Sequence, residues 1–463
     1  MIQSFKNIWS IPDLRKRVLY TFGLLAVYRI GGHIPTPGID NLALIRLFER
    51  SAGSILGYVD LFAGGNFRRF TIFALGIMPY ITASIILQLL TVVWPYLEKL
   101  SKEGEAGRRK ITQWTRYGTV ALSVIQSYGI ALWLQSASAG GNERIVMHPG
   151  FGFQMMTMLT LTTGTALIMW LGEQISERGI GNGISLIIFA GIVVGFPNAV
   201  VRTWQDVMTG QLGPIAVLLL MALMTVVVAA IVLVERAQRK IPIQYARRIV
   251  GRRVYGGAST YLPLRVNTGG VIPVIFASSM LAIPQTLLQF RFLQDVRWVQ
   301  DLQRQLEYSA PLYNLLYFAM IIFFCFFYVS IIFNPMDQAD NMKKYGGFIP
   351  GIRPGRKTAE YIDRILTRLT FGGAVYLGLV SILPVFLISG LRLQVLPWIG
   401  PMLEPYLPNM ITQGLNVKFF FGGTSLLIVV GVAMDTVQQI ESQLIMRHYE
   451  GFMKGARMRG RRG

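Results

Sequence analysis

The chain has 463 residues, of which 52% are hydrophobic and only 14% are charged. A soluble protein of this composition would need an exceptionally large apolar core, so the composition favours a membrane protein. The net charge of +21 could also suit a nucleic-acid-binding protein. Such a protein gathers its basic residues on one soluble face, whereas here they fall in separate loops. The only cysteine is Cys325, so a disulfide within the chain is excluded.

Apolar stretches recur along the whole chain, most of them about twenty residues long, which is the length of one helical membrane crossing. They predict ten membrane-spanning helices, in chain order at 18–34, 70–92, 117–134, 154–171, 183–201, 214–234, 270–290, 312–333, 371–390 and 419–434. The fold class is therefore an all-α membrane protein.

Basic residues alternate between successive loops. With a cytoplasmic N-terminus, the inner segments hold 32 of the 44 Lys and Arg residues, so the positive-inside rule places both termini in the cytoplasm. Two inner loops, 235–268 and 334–370, are long enough to extend beyond the membrane as a pair of short elements each. Their charge has two interpretations, an orientation signal that also attracts anionic lipid or a docking platform for a soluble partner.

The segment before the second span is irregular, because glycines and charges interrupt its apolar residues at 58–69. Broken backbone at membrane depth must be buried in protein or line a watery cavity. We expect a short helix at 56–63, hinged at Gly64 and Gly65, with the span resuming at Phe70. The alternative is an interfacial external loop with no gating role.

Candidate sites for transport or catalysis are scarce. Arg29 is almost the only ionisable residue deep in a span, whereas ion-coupled transporters place Asp, Glu or His there. The three histidines lie in different loops without ligand spacing, and no phosphate-binding loop is present. The glycines at 179–183 are interpreted as a tight inner turn between spans four and five. We expect no enzyme activity, no metal and no cofactor.

Several strings carry a family resemblance. They are FALGIMPYI (73–81), EGEAGRRK (103–110), WLGEQI (170–175), GIGNGIS (179–185), GGVIPVIFASS (269–279), IPGIRPG (349–355) and FGGTSLLI (421–428). In this order they resemble the SecY family, the pore subunits of the bacterial Sec translocase. One departure is a longer external segment at 391–416 that carries four prolines.

The resemblance implies two pseudo-symmetric five-helix halves, 1–201 and 212–463, that open like a clamshell around an hourglass channel. Its apolar constriction would be a pore ring of Ile81, Ile85, Ile188, Ile192, Ile275 and Ile428; a neighbour on the same helix could replace Ile275. A re-entrant plug at about 55–68 would include Asp60, Leu61, Phe62, Ala63, Gly64, Gly65, Asn66 and Phe67. A lateral gate would open between spans two and three and spans seven and eight. Without the resemblance, the isoleucines would be interpreted as ordinary helix-packing residues.

The resemblance also implies partners and a docking surface for the motor or the ribosome. The docking residues would be Arg247, Arg248, Arg252, Arg253, Arg353, Arg356 and Lys357, with Arg353 at the position of the family's sensitive arginine. The expected partners are the small subunits SecE and SecG, the SecA motor ATPase, the ribosome with its nascent chain, signal peptides, SecDF, YidC and the lipid bilayer. The function would be protein translocation across the bacterial cytoplasmic (inner) membrane. A secondary transporter of a small solute and an intramembrane enzyme are the alternatives.

Overall fold

The computed structural model describes residues 11–50, 60, 63–136, 145–210, 213–245, 248–250, 253–255, 259–288, 297–307, 310–390 and 423–455. These residues are mostly helical and divide into two compact units. The first unit takes the described residues within Met1–Val200, Gln285–Val299 and Val432–Gly463. The second takes those within Val201–Pro284 and Gln300–Gly431.

The elements follow one another in this order: α1 (Pro12–Gly31), α2 (Asn41–Arg50), α3 (Met78–Val93), α4 (Pro95–Lys102), α5 (Glu105–Ser136), α6 (Phe151–Arg178), α7 (Gly183–Met208), α8 (Pro214–Arg236), β1 (Gln238–Tyr245), β2 (Arg248–Val250), β3 (Arg253–Tyr255), β4 (Ser259–Arg265), α9 (Ile272–Leu288), α10 (Arg297–Gln305), α11 (Pro311–Ile332), α12 (Pro335–Lys344), β5 (Gly347–Phe348), α13 (Arg356–Ser389) and α14 (Gly423–Gly455).

Proline occupies the first turn of several helices. N–H groups in that turn have no partner within the helix, so the missing N–H of proline costs no helical hydrogen bond. This holds for α1, α3, α4, α8, α11 and α12. Pro95 also bends the chain, because the residue before a proline avoids helical geometry. Trp94 is extended, with φ −99° and ψ 112°. As a result, α4 leaves α3 at an angle of 99°.

Six helices of the described part of the chain are long and apolar enough to cross a membrane, or seven if the bent pair α3 and α4 forms one crossing. The six are α5, α6, α7, α8, α11 and α13. They coincide with the predicted spans three, four, five, six, eight and nine. The predicted spans one, two, seven and ten overlap the helices α1, α3, α9 and α14, and α14 continues about twenty residues past the predicted end of span ten.

The predicted start of the second span is wrong. Its helix begins at Met78, and residues 63–77, here called the turn segment, form consecutive turns. The backbone of Phe70 and Ile72 is hydrogen-bonded to the chain after α1 instead, since Thr36 N–H donates to Phe70 O at 2.9 Å and Ile72 N–H donates to Ile34 O at 3.0 Å. Gly76 has a left-handed φ of 58°, which also prevents a helix from starting earlier.

In the first unit, α5 packs along α6, and α3 packs against α5. Gly164 of α6 lies directly against the backbone carbonyl of Ile72, so a side chain there would collide with the turn segment. The residues between α6 and α7 form the predicted tight turn. Its backbone is held by side chains, since Ile180 N–H donates to Thr21 Oγ1 and Gly181 N–H donates to Gln439 Oε1, both at 3.1 Å.

In the second unit, the two predicted inner loops form one structure. The strands β4, β1 and β5 make a three-stranded antiparallel sheet in that order, here called the platform sheet. β5 belongs to the loop before α13, so this sheet joins the two loops that the sequence treats as separate. An apolar cluster stabilises the sheet and includes Ile241, Leu264, Ile349 and Ile362. Beside the ends of β1 and β4 in the sequence, Asn267 Nδ2 donates to the buried Glu235 Oε1 at 2.6 Å.

Candidate functional site

The candidate ring residues of the first unit lie on two helices. Ile81 and Ile85 are in α3, and Ile188 and Ile192 are in α7; all four are buried. A separation of four residues places each pair on one face of its helix. Each helix therefore presents a short apolar stripe of β-branched side chains.

The turn segment touches α7 beside that stripe. Gly64 and Gly65 have left-handed φ angles of 70° and 79°, which favour glycine. A Cβ built on Gly64 would lie 2.7 Å from Gly191 Cα, so the two backbones meet without side chains between them. Gly191 directly precedes Ile192. The predicted hinge is thus packed on the same helical turn as one ring candidate.

Asp60, which lies just before the turn segment, bonds to Arg68 within it. Asp60 Oδ1 accepts a hydrogen bond from Arg68 N–H at 2.9 Å, and Asp60 Oδ2 lies 3.7 Å from Arg68 Nε. Gly65 N–H donates to the backbone oxygen of Asp60 at 2.9 Å. Burial raises the pKa of the Asp60 carboxyl above its ordinary value, and the backbone N–H of Arg68 opposes that shift. The charge of Asp60 is therefore tolerated only because the turn supplies donors.

A buried hydrogen bond joins the turn segment to α1. Asn66 Nδ2 donates to Tyr28 Oη at 3.3 Å, and Asn66 is only 2% exposed. Within the described part of the chain, Asn66 Oδ1 has no hydrogen-bond partner. The Tyr28 ring stacks on Phe73 with a centroid distance of 5.6 Å. Among the described residues, the Tyr28 hydroxyl is thus the one hydrogen-bond partner of the Asn66 side chain.

The other face of the turn segment belongs to an apolar cluster that includes Leu44, Ala63, Phe67 and Phe70. Phe67 meets Phe48 of α2 edge to face, with 5.5 Å between ring centroids. Such aromatic pairs stabilise beyond the area they bury. Leu61 and Phe62 lie outside the described residues, so the structure places only six of the eight predicted plug residues.

In the second unit, the ring candidates Ile275 of α9 and Ile428 of α14 are also buried. The hydroxyls of Ser278 and Ser279 both donate to Ile275 O, at 2.9 and 2.8 Å. Each hydroxyl thus bonds to the backbone of its own helix, one turn after Ile275.

The predicted docking residues divide into three groups. Arg356 and Lys357 are exposed at the start of α13, and Arg353 is exposed in the loop before it. Glu360 pairs with Arg356 at 3.2 Å and with Lys357 at 3.3 Å, whereas the Arg353 backbone oxygen accepts from Thr358 Oγ1 at 3.0 Å. Arg248 and Arg253 lie on the β2 and β3 hairpin. Arg247 and Arg252 are outside the described residues.

The sequence profile of the SecY family matches residues 71–437. The chain belongs to the SecY family. The protein translocase subunit SecY of Streptomyces scabiei is 48% identical over 463 residues, which span 98% of this chain and 100% of the relative. The protein translocase subunit SecY of Escherichia coli K12 is 47% identical over 452 residues, spanning 97% of this chain and 96% of the relative.

Solved structures support the same fold. A protein-conducting channel superposes with a TM-score of 0.63 at 18% identity, covering 96% of this chain and 94% of the other. A SecY protein whose plug domain is described as stabilising the closed state has a TM-score of 0.60 at 18% identity, with the same coverage. Sec61 in a canine ribosome–channel complex has a TM-score of 0.58 at 16% identity, also over 96% and 94%. The SecY-family chain has the SecY-type channel fold and is a multi-pass membrane protein.

Sequence reasoning missed three polar contacts in this SecY-family chain. They are the Tyr28–Asn66 bond, the Asp60–Arg68 pair and the Glu235–Asn267 bond. Glu235 and Asn267 flank a loop, which offered no local signal for their pairing. Asp60 was placed in the plug, but its closure onto Arg68 eight residues later follows no helical or strand period.

Proposed function

We propose that this SecY-family chain is the central channel subunit of a protein translocase. It conducts unfolded secretory polypeptides across the cytoplasmic membrane and releases transmembrane segments sideways into lipid. The observation that carries this function is the full-length similarity, at 47% and 48% identity, to proteins named protein translocase subunit SecY. A small-solute transporter is not favoured by these relatives. The chain acts as a channel and not as a catalyst.

The proposed channel has ten crossings in two five-helix halves, 1–201 and 212–463, with both termini in the cytoplasm. The loop charges support this orientation, because basic residues are retained on the cytoplasmic side. The similarity to bacterial relatives supports a location in the cytoplasmic (inner) membrane. The lateral gate would open between crossings two and three and crossings seven and eight.

The proposed pore ring consists of Ile81, Ile85, Ile188, Ile192, Ile275 and Ile428. All six are buried and aliphatic, which supports a dry constriction. An apolar constriction closes by dewetting, so ions are excluded although the passage is narrow. Flexible aliphatic side chains can also fit around an extended polypeptide of any sequence without specific hydrogen bonds.

The proposed plug covers about 55–68, including Asp60 to Phe67. The contact of Gly64 with Gly191 supports it, because this contact holds the hinge beside ring candidate Ile192. The Asn66–Tyr28 bond and the Phe67–Phe48 pair would hold the plug in the resting state. Opening would require these contacts to break.

The proposed docking surface consists of basic residues in the two loops that share the platform sheet: Arg247, Arg248, Arg252, Arg253, Arg353, Arg356 and Lys357. The exposure of Arg353, Arg356 and Lys357 supports it. Ribosomal RNA is a polyanion that basic side chains attract, and an acidic motor surface would be steered by the same charges. The partners are then SecA or the ribosome at this surface, SecE, SecG, SecDF and YidC in the membrane, and signal peptides at the lateral gate.

Reconstitution tests this function. The chain is purified with its SecE- and SecG-type subunits, placed in liposomes, and supplied with SecA, ATP and an unfolded secretory precursor. We expect the precursor to become protected from external protease, and no protection with a precursor that lacks a signal sequence. Vesicles without the chain are the control. Uptake of small solutes without any protection of precursor would overturn the proposal.

A further inference from the structure

Tyr345 is an exposed aromatic residue at the tip between α12 and β5. Its side chain is 78% exposed, and its neighbours Lys343, Lys344 and Gly346 are exposed as well. Burial of aromatic surface normally stabilises a fold. The fold therefore gains little from this ring.

The tip holds Tyr345 in a defined position. Asn334 caps the start of α12 by accepting from Met336 N–H at 3.1 Å, and Tyr345 N–H donates to Asn341 O at 3.1 Å at the end of the helix. Immediately after the tip, β5 pairs with β1 of the platform sheet. Both sides of Tyr345 are thus anchored in regular structure, so a partner would meet a ring whose backbone is already ordered.

The chain after Asp340 is mostly basic, although Glu360 pairs with Arg356 and Lys357. Residues 341–357 contain five basic residues and no Asp or Glu, as the sequence shows. Lys343 and Lys344 directly precede Tyr345, and all three residues are exposed. An aromatic ring among cations is the combination with which proteins bind single-stranded or looped RNA, in which the cations contact phosphates and the ring stacks on a base.

We infer that Tyr345 stacks on an unpaired base of ribosomal RNA, while Lys343 and Lys344 contact the adjacent phosphates. This inference rests on the proposed ribosome docking and adds a residue that the docking set lacked. Stacking does not depend on salt, whereas phosphate contacts do. The two contributions can therefore be separated.

The experiment measures the affinity of large ribosomal subunits for the purified channel complex in lipid nanodiscs over a range of salt concentrations. We expect Tyr345→Ala to weaken binding about tenfold at every salt concentration, with an unchanged slope of log affinity against log salt. Tyr345→Phe keeps the stacking face and should bind within about twofold of the parent. Lys343→Gln should reduce the slope by about one.

The matched control is Tyr261→Ala. Tyr261 lies on β4 of the same platform sheet and is 58% exposed, but it is outside the acid-free segment. We expect its affinity to equal that of the parent. An equal loss in both alanine variants would overturn the inference, because it would indicate a general effect of the platform.

A photo-cross-linking amino acid at position 345 identifies the partner. Cross-links to ribosomal RNA support the inference, whereas cross-links only to ribosomal proteins or to the motor overturn it. If Tyr345→Ala binds ribosomes as tightly as the parent channel does, this inference alone is refuted. A parent channel with no ribosome affinity refutes the proposed docking as well.

Discussion

The hydroxyl of Tyr28 is the smallest group whose removal tests the proposed plug. Tyr28→Phe deletes one oxygen and keeps the ring that stacks on Phe73 at 5.6 Å. Asn66 then loses its hydrogen bond to Tyr28. Water cannot replace that bond, because Asn66 is only 2% exposed, and its Oδ1 already lacks a partner in the described part of the chain. The variant should therefore leave the amide buried and unsatisfied.

A buried polar group without a partner costs about 1–3 kcal/mol. If opening moves Asn66 away from α1 and into water, this penalty falls on the closed state alone. A loss of about 1.4 kcal/mol would then raise the equilibrium ratio of open to closed channels about tenfold. The helices themselves should be unaffected, because the aromatic packing is retained.

Planar bilayers with the reconstituted complex measure this effect as resting conductance without a precursor. We expect Tyr28→Phe to raise the resting open probability about tenfold and to permit export of precursors with weakened signal sequences. Tyr20→Phe is the matched control, because its hydroxyl donates to Gln174 at 3.3 Å, away from the turn segment. Parental conductance in Tyr28→Phe, or an equal rise in the Tyr20 control, would refute the reasoning.

Four further predictions concern the ring, the hinge, the docking surface and pH. The first replaces four ring residues together by asparagine: Ile81, Ile85, Ile188 and Ile192. These polar side chains should wet the constriction and raise the resting ion leak in planar bilayers, and an unchanged leak would contradict the ring. Gly64→Ala should weaken closure, because its Cβ would lie 2.7 Å from Gly191 Cα at a φ of 70°; a seal as tight as the parent's argues against the hinge. Arg353→Glu should slow SecA-driven export in vesicles while the protein stays inserted. Arg364→Glu, at another exposed arginine, is the comparison for the charge reversal itself. Normal export by Arg353→Glu would exclude the docking role. Because burial raises the pKa of Asp60, the packed turn segment binds a proton more tightly than the released one. Its closure should therefore strengthen as the pH falls through that raised pKa, and a conductance that rises on acidification would contradict this sign.

The membrane-spanning helices were largely predictable because length and apolarity are local properties of a sequence. Six predicted spans coincide with helices long enough to cross, and a tight turn is present at 179–183. The start of the second span was not predictable in this way. Residues 70–77 are as apolar as the residues of a membrane-spanning helix. Their backbone groups, however, form hydrogen bonds with residues 34 and 36, and these bonds compete with helix formation.

The burial of all six isoleucines agrees with the ring without testing it. Apolar residues on packed helices are buried in most proteins. The family resemblance, and not the periodicity, distinguished them from ordinary packing residues. The docking residues also came from the resemblance, because charge alone left an orientation signal and a docking platform as alternatives.

The sequence alone determined that this is a multi-pass membrane protein of the SecY family, since hydrophobic length and motif order need no knowledge of packing. Only the tertiary structure decided that Gly64 meets Gly191, that Asn66 depends on Tyr28, and that two distant loops share the platform sheet. Each of these contacts joins residues from separate elements. Which residues meet depends on how whole helices and strands pack, and no local pattern in the chain encodes that.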